Sequence, residues 1–234
     1  MTTPTLSYTL EGSTAVLRMD DGKANALSDA MITALLEALT RAEKEASAVV
    51  LTGRPDRFCA GFDLKVMTAG PEGVRKLFLH GADLLVKLNG LPMPLVIACT
   101  GHALAGGAQV LLTGDVRIGA LGPYRIGLNE TTIGMPLPIL GVEFARARLA
   151  PTELSRATMG AQIYTHEEAA KMGYLDEALP AGEVLARAMD EAAKLGALSR
   201  PAYAATKQRL RGEMLTRVTA SLESDMTSLL AMFG

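Results

Sequence analysis

The stretch PLVIACTGHALAGGAQVLLTGDVRIGA, residues 94–120, decides the fold class of this 234-residue chain. It begins with a short apolar run at 95–99, which predicts a buried strand. A helical pattern with glycines at its start follows over 105–114, and DVRIGA at 115–120 predicts the next strand. Strand, helix and strand in this order indicate an α/β architecture with largely parallel pairing.

The same alternation extends outward in both directions. LSYTLEG and TAVLRMD near the start predict a hairpin, Ser28 is placed to cap a helix, and AVVLTG at 48–53 predicts a buried strand. A helical stretch over 72–88 and a short strand in YRIGL at 124–128 complete the alternation. Beyond Leu137 the strand signal fades, and only helices are expected. We predict that the α/β core, with the first of these helices, covers residues 1–180 and that a C-terminal helical region covers 181–234.

Composition and absent motifs exclude several classes of protein. The formal net charge of −2 argues against a general nucleic-acid binder, and no apolar run approaches the roughly 20 residues that span a bilayer. The start of the chain lacks the pattern of a secretory signal, and Cys59 and Cys99 read as free thiols, so a cytoplasmic location is expected. Neither common phosphate loop nor a nucleophile elbow occurs, and the three histidines are isolated, so no metal site is predicted.

Two loops share one physical design. FCAGFDL at 58–64 and GHALAGGAQ at 101–109 each place small residues just before a predicted helix. The first turn of a helix leaves backbone N–H groups unpaired and partially positive, and small residues allow a close approach to them. Either loop alone is as well explained by a tight turn. Together, facing each other, they would hold a developing oxyanion.

These loops and three other segments resemble the crotonase superfamily, the enoyl-CoA hydratase and isomerase fold. The matching segments, in chain order, are KANALS at 23–28, FCAGFDL, GHALAGGAQ, IGLNETTIG at 126–134 and EEAAKMGYLDEALP at 167–180. The resemblance implies a spiral of ββα repeats with a C-terminal helical trimerisation region, and hence a homotrimer or a dimer of trimers. It also implies an acyl-CoA thioester substrate, with coenzyme A as part of that substrate and no separate cofactor.

The resemblance also implies roles for individual residues. The backbone amides of Phe62 and Gly106 would polarise the thioester carbonyl. The adenine and pantetheine path would run along the backbone near Ala24, Ala60, Asp63 and Leu64. Asp63 is equally consistent with capping the helix that follows it. A basic group on the tail, at Lys207, Arg209, Arg211 and Arg217, is expected on a solvated helix face, with contact to coenzyme A phosphates as the alternative.

The expected reaction depends on Glu130, which without the flanking motifs would read as an exposed turn residue. Family hydratases use two glutamates to activate water, but Gln109 stands at the position of the first, either as a substrate positioner or as a neutral helix residue. One remaining carboxylate suits proton shuttling between C2 and C4 of a 3-enoyl-CoA. Apolar neighbours, with Met135 and Leu137 among the residues expected to contact the acyl chain, would lift its pKa. Hydration, another crotonase reaction and non-catalytic acyl-CoA binding are the alternatives.

Overall fold

The computed structural model describes residues 5–67 and 70–231, and its strands form two sheets. The larger sheet has six strands and the smaller has three. In chain order the strands are Leu6–Glu11 (β1), Thr14–Met19 (β2), Ala48–Thr52 (β3), Asp56–Cys59 (β4), Leu95–Cys99 (β5), Gly101–Leu104 (β6), Val116–Leu121 (β7), Ile126–Gly127 (β8) and Glu177–Pro180 (β9).

The two sheets arise from a repeated pair of strands. The larger sheet has the order β1-β2-β3-β5-β7-β9, in which only β1 and β2 are antiparallel, as the predicted hairpin requires. The smaller sheet has the parallel order β4-β6-β8. Each successive pair, β3 with β4, β5 with β6 and β7 with β8, therefore contributes one strand to each sheet. This confirms the expected α/β spiral of ββα repeats.

The helices cover the larger sheet and fill the space between repeats. They are Asp29–Glu45 (α1), Leu64–Met67 (α2), Pro71–Asn89 (α3), Gly106–Thr113 (α4), Ile139–Arg148 (α5), Leu154–Thr158 (α6), His166–Met172 (α7), Val184–Gly196 (α8) and Arg200–Leu230 (α9), with a 3-10 helix over Glu130–Ile133. The side chain of Ser28 caps α1 by accepting a hydrogen bond from the Met31 amide. Met31, Leu35 and Leu39 are fully buried on one face of α1, as the sequence pattern predicts.

The expectation that strands end near residue 140 is wrong, because β9 completes the larger sheet. Its residues pair in parallel with β7, with Ile118 opposite Glu177 and Leu121 opposite Pro180. The segment reads EALP and is only partly buried, so it has neither an apolar run nor a clear alternation. Pairing with an existing sheet edge, rather than local propensity, makes it a strand.

The long helix α9 packs on α3 and α5 of its own chain, and two of its basic residues are buried. Lys207 and Arg211 bind opposite oxygens of Asp115, at 2.6 and 2.8 Å. Each also donates to backbone carbonyls at the ends of neighbouring elements. The expectation of a solvated face is therefore wrong for these two residues. Because buried charges are stable only when paired, this cluster fixes α9 against the core.

The described residues contain neither a membrane-spanning helix nor a metal-binding cluster. Within residues 5–67 and 70–231, no helix combines the length and apolar character needed to cross a bilayer. Across the same residues, no three His, Cys, Asp or Glu side chains come together in a way that would hold a metal ion. Cys59 and Cys99 are both free and buried, and burial raises the pKa of each thiol to about 12.

Candidate active site

A short backbone ladder positions the first of the two loops. The Leu27 amide donates to the Gly61 carbonyl at 2.8 Å, and the Leu27 carbonyl accepts from the Asp63 amide at 3.3 Å. One step earlier, the Ala60 amide donates to the Ala24 carbonyl at 3.1 Å. The segment at 24–27 thus clamps both neighbours of residue 62 and leaves the Phe62 amide outside the ladder.

The two loops meet where the sequence places glycines. Gly61 has a φ of +89°, which favours glycine, and a Cβ atom there would lie 3.1 Å from the nitrogen of Gly106. A Cβ atom at Gly106 would in turn lie 3.1 Å from Cδ2 of Phe62. Ala105, directly before α4, has a φ of 48° and a ψ of −122°, a conformation that is strained for alanine. Such strain is concentrated at functional sites, where it sets the direction of backbone groups.

The amides of Phe62 and Gly106 both remain available to a ligand. In the part of the chain that the structure describes, neither N–H donates a hydrogen bond to another residue. The Gly106 amide lies in the first turn of α4, where no intrahelical acceptor exists. The close approach of the two loops brings these unpaired amides near each other, and their role as the donor pair of an oxyanion stays a prediction.

Glu130 is buried, and one of its two carboxylate oxygens is held. Glu130 is the first residue of the 3-10 helix and is 5% exposed. The side-chain amide of Gln109, which is 2% exposed, donates from Nε2 to Oε1 of Glu130 at 2.7 Å. Oε2 is buried and has no hydrogen-bond partner among the described residues. Gln109, placed on α4 three residues after Gly106, therefore orients the carboxylate and leaves the other oxygen free to react.

Burial also changes the acidity of this carboxyl group. Loss of solvation raises the pKa of Glu130 above its ordinary value, because the charged form is the one that burial disfavours. A hydrogen bond from its own backbone amide and the one from Gln109 oppose this and lower the pKa. The balance leaves a carboxyl group with a raised pKa, which is the property that a general acid/base needs.

Glu130, Phe62 and Gly106 line one cavity of about 150 Å³. Six of the residues predicted from the sequence to bind substrate or polarise it line this cavity with Glu130: Ala60, Phe62, Leu64, Gly106, Gln109 and Met135. The other described lining residues are Phe78, Leu104, Ala105, Asn129, Ile133 and Pro138. Glu130 is thus the only ionisable side chain among the described residues that line it. An apolar cavity with a few convergent polar groups is the usual form of a small-molecule site.

Three predicted binding residues lie outside this cavity. The Ala24 carbonyl already accepts from Ala60, and Oδ1 of Asp63 accepts from the Lys65 amide at 3.0 Å, which is the capping contact that the sequence left open. Leu137 lines a neighbouring groove between Thr131 and α6. Their roles toward coenzyme A or the acyl chain stay predictions.

Of the six lining residues that the sequence did not assign to the site, Asn129 and Phe78 bear most on its chemistry and shape. Asn129 lines the cavity beside Glu130, and its Oδ1 is buried without a partner among the described residues. Phe78 lies on α3, within a helix that the sequence predicts, and is 6% exposed. Adjacency to Glu130 could have flagged Asn129. Nothing in the local pattern of α3 separates Phe78 from ordinary core residues.

Chemically, this arrangement suits a carbonyl compound with an acidic neighbouring C–H. The two amides would stabilise negative charge on the carbonyl oxygen, and Oε2 of Glu130 would exchange a proton with carbon. The site offers no second carboxylate and no nucleophilic side chain among its described lining residues.

Comparison with known proteins gives a consistent family. The model of the enoyl-CoA hydratase/isomerase family matches residues 9–233. A solved structure of an enoyl-CoA hydratase/isomerase family protein from Pseudomonas syringae is 38% identical, with a TM-score of 0.94, and the match covers 97% of this chain and 98% of that one.

Two curated relatives bear on the reaction and differ in it. Human mitochondrial enoyl-CoA delta isomerase 1 is 29% identical over 94% of this chain and 74% of its own length. The enoyl-CoA hydratase EchA19 of Mycobacterium tuberculosis is 31% identical over 80% of this chain and 72% of its own. The likeness thus extends to both reactions of one family. The chain is an enzyme that belongs to the enoyl-CoA hydratase/isomerase family, the crotonase superfamily that its motifs resemble.

Proposed function

We propose that this enzyme moves the double bond of a 3-enoyl-CoA to the conjugated 2-enoyl-CoA. The thioester oxygen binds between the amides of Phe62 and Gly106. Oε2 of Glu130 takes a proton from C2, the electrons delocalise onto the oxygen as a dienolate, and the same carboxyl group returns the proton at C4. One C–H bond breaks and another forms, no water is added, and the enzyme ends in its starting state.

The observation that carries the proposal is the hydrogen bond from Gln109 to Glu130. Hydration requires a water molecule that is deprotonated as it attacks C3 and a proton for C2, which family hydratases manage with two glutamates. Here the position of the first is an amide that is itself committed to Oε1 of Glu130 at 2.7 Å. An amide has no titration near neutral pH. The site therefore has one group that transfers protons, as a 1,3 shift requires.

The oxyanion contacts lower the rest of the activation barrier. A C–H group beside a thioester is a weak acid, so removal of its proton requires stabilisation of the enolate oxygen. Loss of one preorganised donor in other enzymes costs about 2.7–4 kcal/mol in activation free energy. The support for this role is that the amides of Phe62, beside the ladder at 24–27, and of Gly106, at the start of α4, donate to no other described residue.

The test is turnover of a 3-enoyl-CoA, followed by the rise in absorbance of the conjugated product. Wild-type enzyme is expected to form 2-enoyl-CoA, and Glu130→Gln is expected to lose about 10²–10⁴-fold in kcat, the usual contribution of general acid/base catalysis. Glu37→Gln serves as a matched control, because it makes the same chemical change at an exposed glutamate of α1 that does not line the cavity. Normal turnover by Glu130→Gln would reject the proposed role.

The alternatives give different products in the same assay. A hydratase would convert 2-enoyl-CoA into 3-hydroxyacyl-CoA, which mass spectrometry detects by the added water. A non-catalytic binding protein would bind acyl-CoA and turn over neither thioester.

The homotrimer or dimer of trimers and the cytoplasmic location are part of this proposal. The support is the family membership and the resemblance in the C-terminal region. Light scattering on the purified protein measures the mass of the assembly, and a monomer would contradict the expected trimer.

A further inference from the structure

The end of α9 backs one wall of the cavity. Met226 and Leu229 of α9 form a small apolar cluster with Val74 and Phe78 of α3, and Met135 packs against it. Phe78 and Met135 are also lining residues of the cavity. The cluster therefore lies directly behind the surface that an acyl group would meet.

A second contact ties the same turns of α9 to another part of the cavity. Oδ2 of Asp225 accepts a hydrogen bond from the Ile139 amide at 2.6 Å. Ile139 directly follows Pro138, which lines the cavity, and it begins α5. The turn of α9 at 225–229 thus holds both the Phe78 side of the cavity and the start of α5.

The wall is backed by buried side chains. Met226 is 1% exposed and Leu229 is 3% exposed, so the side of Phe78 that faces α9 packs against protein and not against solvent. The cavity itself measures about 150 Å³, whereas drug-sized ligands occupy pockets of ~300–1,000 Å³.

We propose that the last turns of α9, acting through Phe78 and Met135, limit the depth of the acyl pocket, so that the enzyme selects short-chain acyl-CoA thioesters over long-chain ones. This inference rests on the proposed function for the placement of the acyl group in the cavity. Met226 and Leu229 act as positioning residues, because they touch the wall and not the cavity. Phe78 determines chain length by direct contact.

The proposal predicts a break in affinity along a series of thioesters, meaning a chain length beyond which added methylenes no longer strengthen binding. Each methylene that enters an apolar pocket improves binding about fourfold, and one that finds no room does not. Titration calorimetry with butanoyl-, hexanoyl-, octanoyl- and decanoyl-CoA should show affinity rising at the short end of the series and then levelling or falling before decanoyl-CoA. Saturated thioesters lack the double bond, so this measurement does not depend on turnover.

Two variants test the wall directly. Phe78→Ala should move the break toward octanoyl- and decanoyl-CoA, because it opens the cavity onto the space of the ring. Met226→Ala should move it in the same direction by releasing Phe78. Val218→Ala is the matched control: Val218 is fully buried on the same helix but lies in the main core and not in the cluster behind Phe78. Circular dichroism first establishes that each variant is folded at the temperature of the titration.

The outcomes separate this proposal from the reaction. A wild-type enzyme that binds decanoyl-CoA at least tenfold more tightly than hexanoyl-CoA would overturn it, as would a shift in Val218→Ala equal to that in Met226→Ala. A protein that shows the expected break but isomerises no 3-enoyl-CoA would refute the proposed reaction and leave the chain-length limit standing. Isomerisation of 3-hexenoyl- and 3-decenoyl-CoA with equal kcat/KM would refute the chain-length limit and leave the proposed reaction standing.

Discussion

Replacing Gln109 by glutamate should convert the single-carboxylate site into a pair that shares one proton. Nε2 of Gln109 lies 2.7 Å from Oε1 of Glu130, and both side chains are almost fully buried. Two carboxylates at ~3–4 Å repel by about 4–6 kcal/mol at an effective dielectric constant of 20. The pair therefore keeps one proton at neutral pH, and the pKa of at least one member is strongly raised.

Two activities should then change in opposite directions. Isomerisation at neutral pH should fall, and its rise with pH should move to higher pH, because the base is protonated over a wider range. Hydration of a 2-enoyl-CoA should appear or increase, since a second carboxylate is now present to activate water. The first is followed by absorbance of the conjugated thioester across a pH series, and the second by mass spectrometry of the 3-hydroxyacyl product.

Gln109→Met is the matched control for this change. Methionine has nearly the same volume as glutamine but donates no hydrogen bond, so it removes the contact to Glu130 without adding a charge. A hydrogen bond to a charged group contributes about 1.5–3 kcal/mol. Its loss should also raise the pKa of Glu130, because that hydrogen bond lowers it in the wild type. The rise of activity should therefore shift to higher pH, with no hydration.

The reasoning would be refuted by a Gln109→Glu enzyme with the wild-type pH profile for isomerisation. It would equally be refuted if Gln109→Met gained hydratase activity, since that variant has no second acid or base. The first result would show that Gln109 does not control the protonation of Glu130, and the second would show that hydration needs no second carboxylate.

Three further predictions concern stability and the placement of the site. Burial raises the pKa of Glu130 above its ordinary 4.5, so the unfolded chain loses this proton at lower pH than the folded protein does, and the stability of the fold falls as pH rises between the two pKa values. In urea unfolding, Glu130→Gln should therefore be more stable than wild type at neutral pH, and the difference should shrink at pH values well below 4.5. At Gly81 a Cβ atom would collide with Cε1 of Phe62, so Gly81→Ala should cost about 1–3 kcal/mol in stability and lower kcat, whereas Gly73→Ala on the same helix, with its nearest contact at 3.5 Å, should change stability by less than ~1 kcal/mol. Asp115→Asn should cost about 3–5 kcal/mol in thermal or urea unfolding, because it leaves the two buried cations of α9 without their shared carboxylate; a loss below ~1 kcal/mol would contradict the anchoring role.

Most of the fold could be predicted because the residues of each element carry a recognisable local pattern. The apolar runs at 48–52 and 95–99 became strands β3 and β5, and the cap at Ser28 began α1 at the expected residue. The strands β4, β6 and β9 were not predicted. Each is four residues long and only partly buried, and each exists because a neighbouring strand offers it hydrogen-bonding partners. Such pairing depends on the assembled sheet and leaves little trace in the segment itself.

The candidate site divides in the same way. Glu130 and the two glycine-containing loops follow from residue types at a recognisable spacing. The contact between Gln109 and Glu130 joins residues 21 positions apart on different elements, so no local pattern shows it. The burial of Lys207 and Arg211 depends on Asp115, about 90 residues earlier in the chain, and a run of basic residues on a helix ordinarily indicates a solvated face.

A 3-enoyl-CoA carrying deuterium at both C2 positions offers the sharpest test of the proton shuttle. Because Oε2 of Glu130 is buried and lacks a partner among the described residues, the deuteron taken from C2 should be returned to C4 faster than it exchanges with water. Mass spectrometry and NMR of the 2-enoyl-CoA product should therefore find deuterium at C4 in a substantial fraction of molecules after one turnover. A product with only solvent hydrogen delivered to C4, or a 3-hydroxyacyl-CoA in its place, would contradict a single carboxyl group at residue 130 as the carrier.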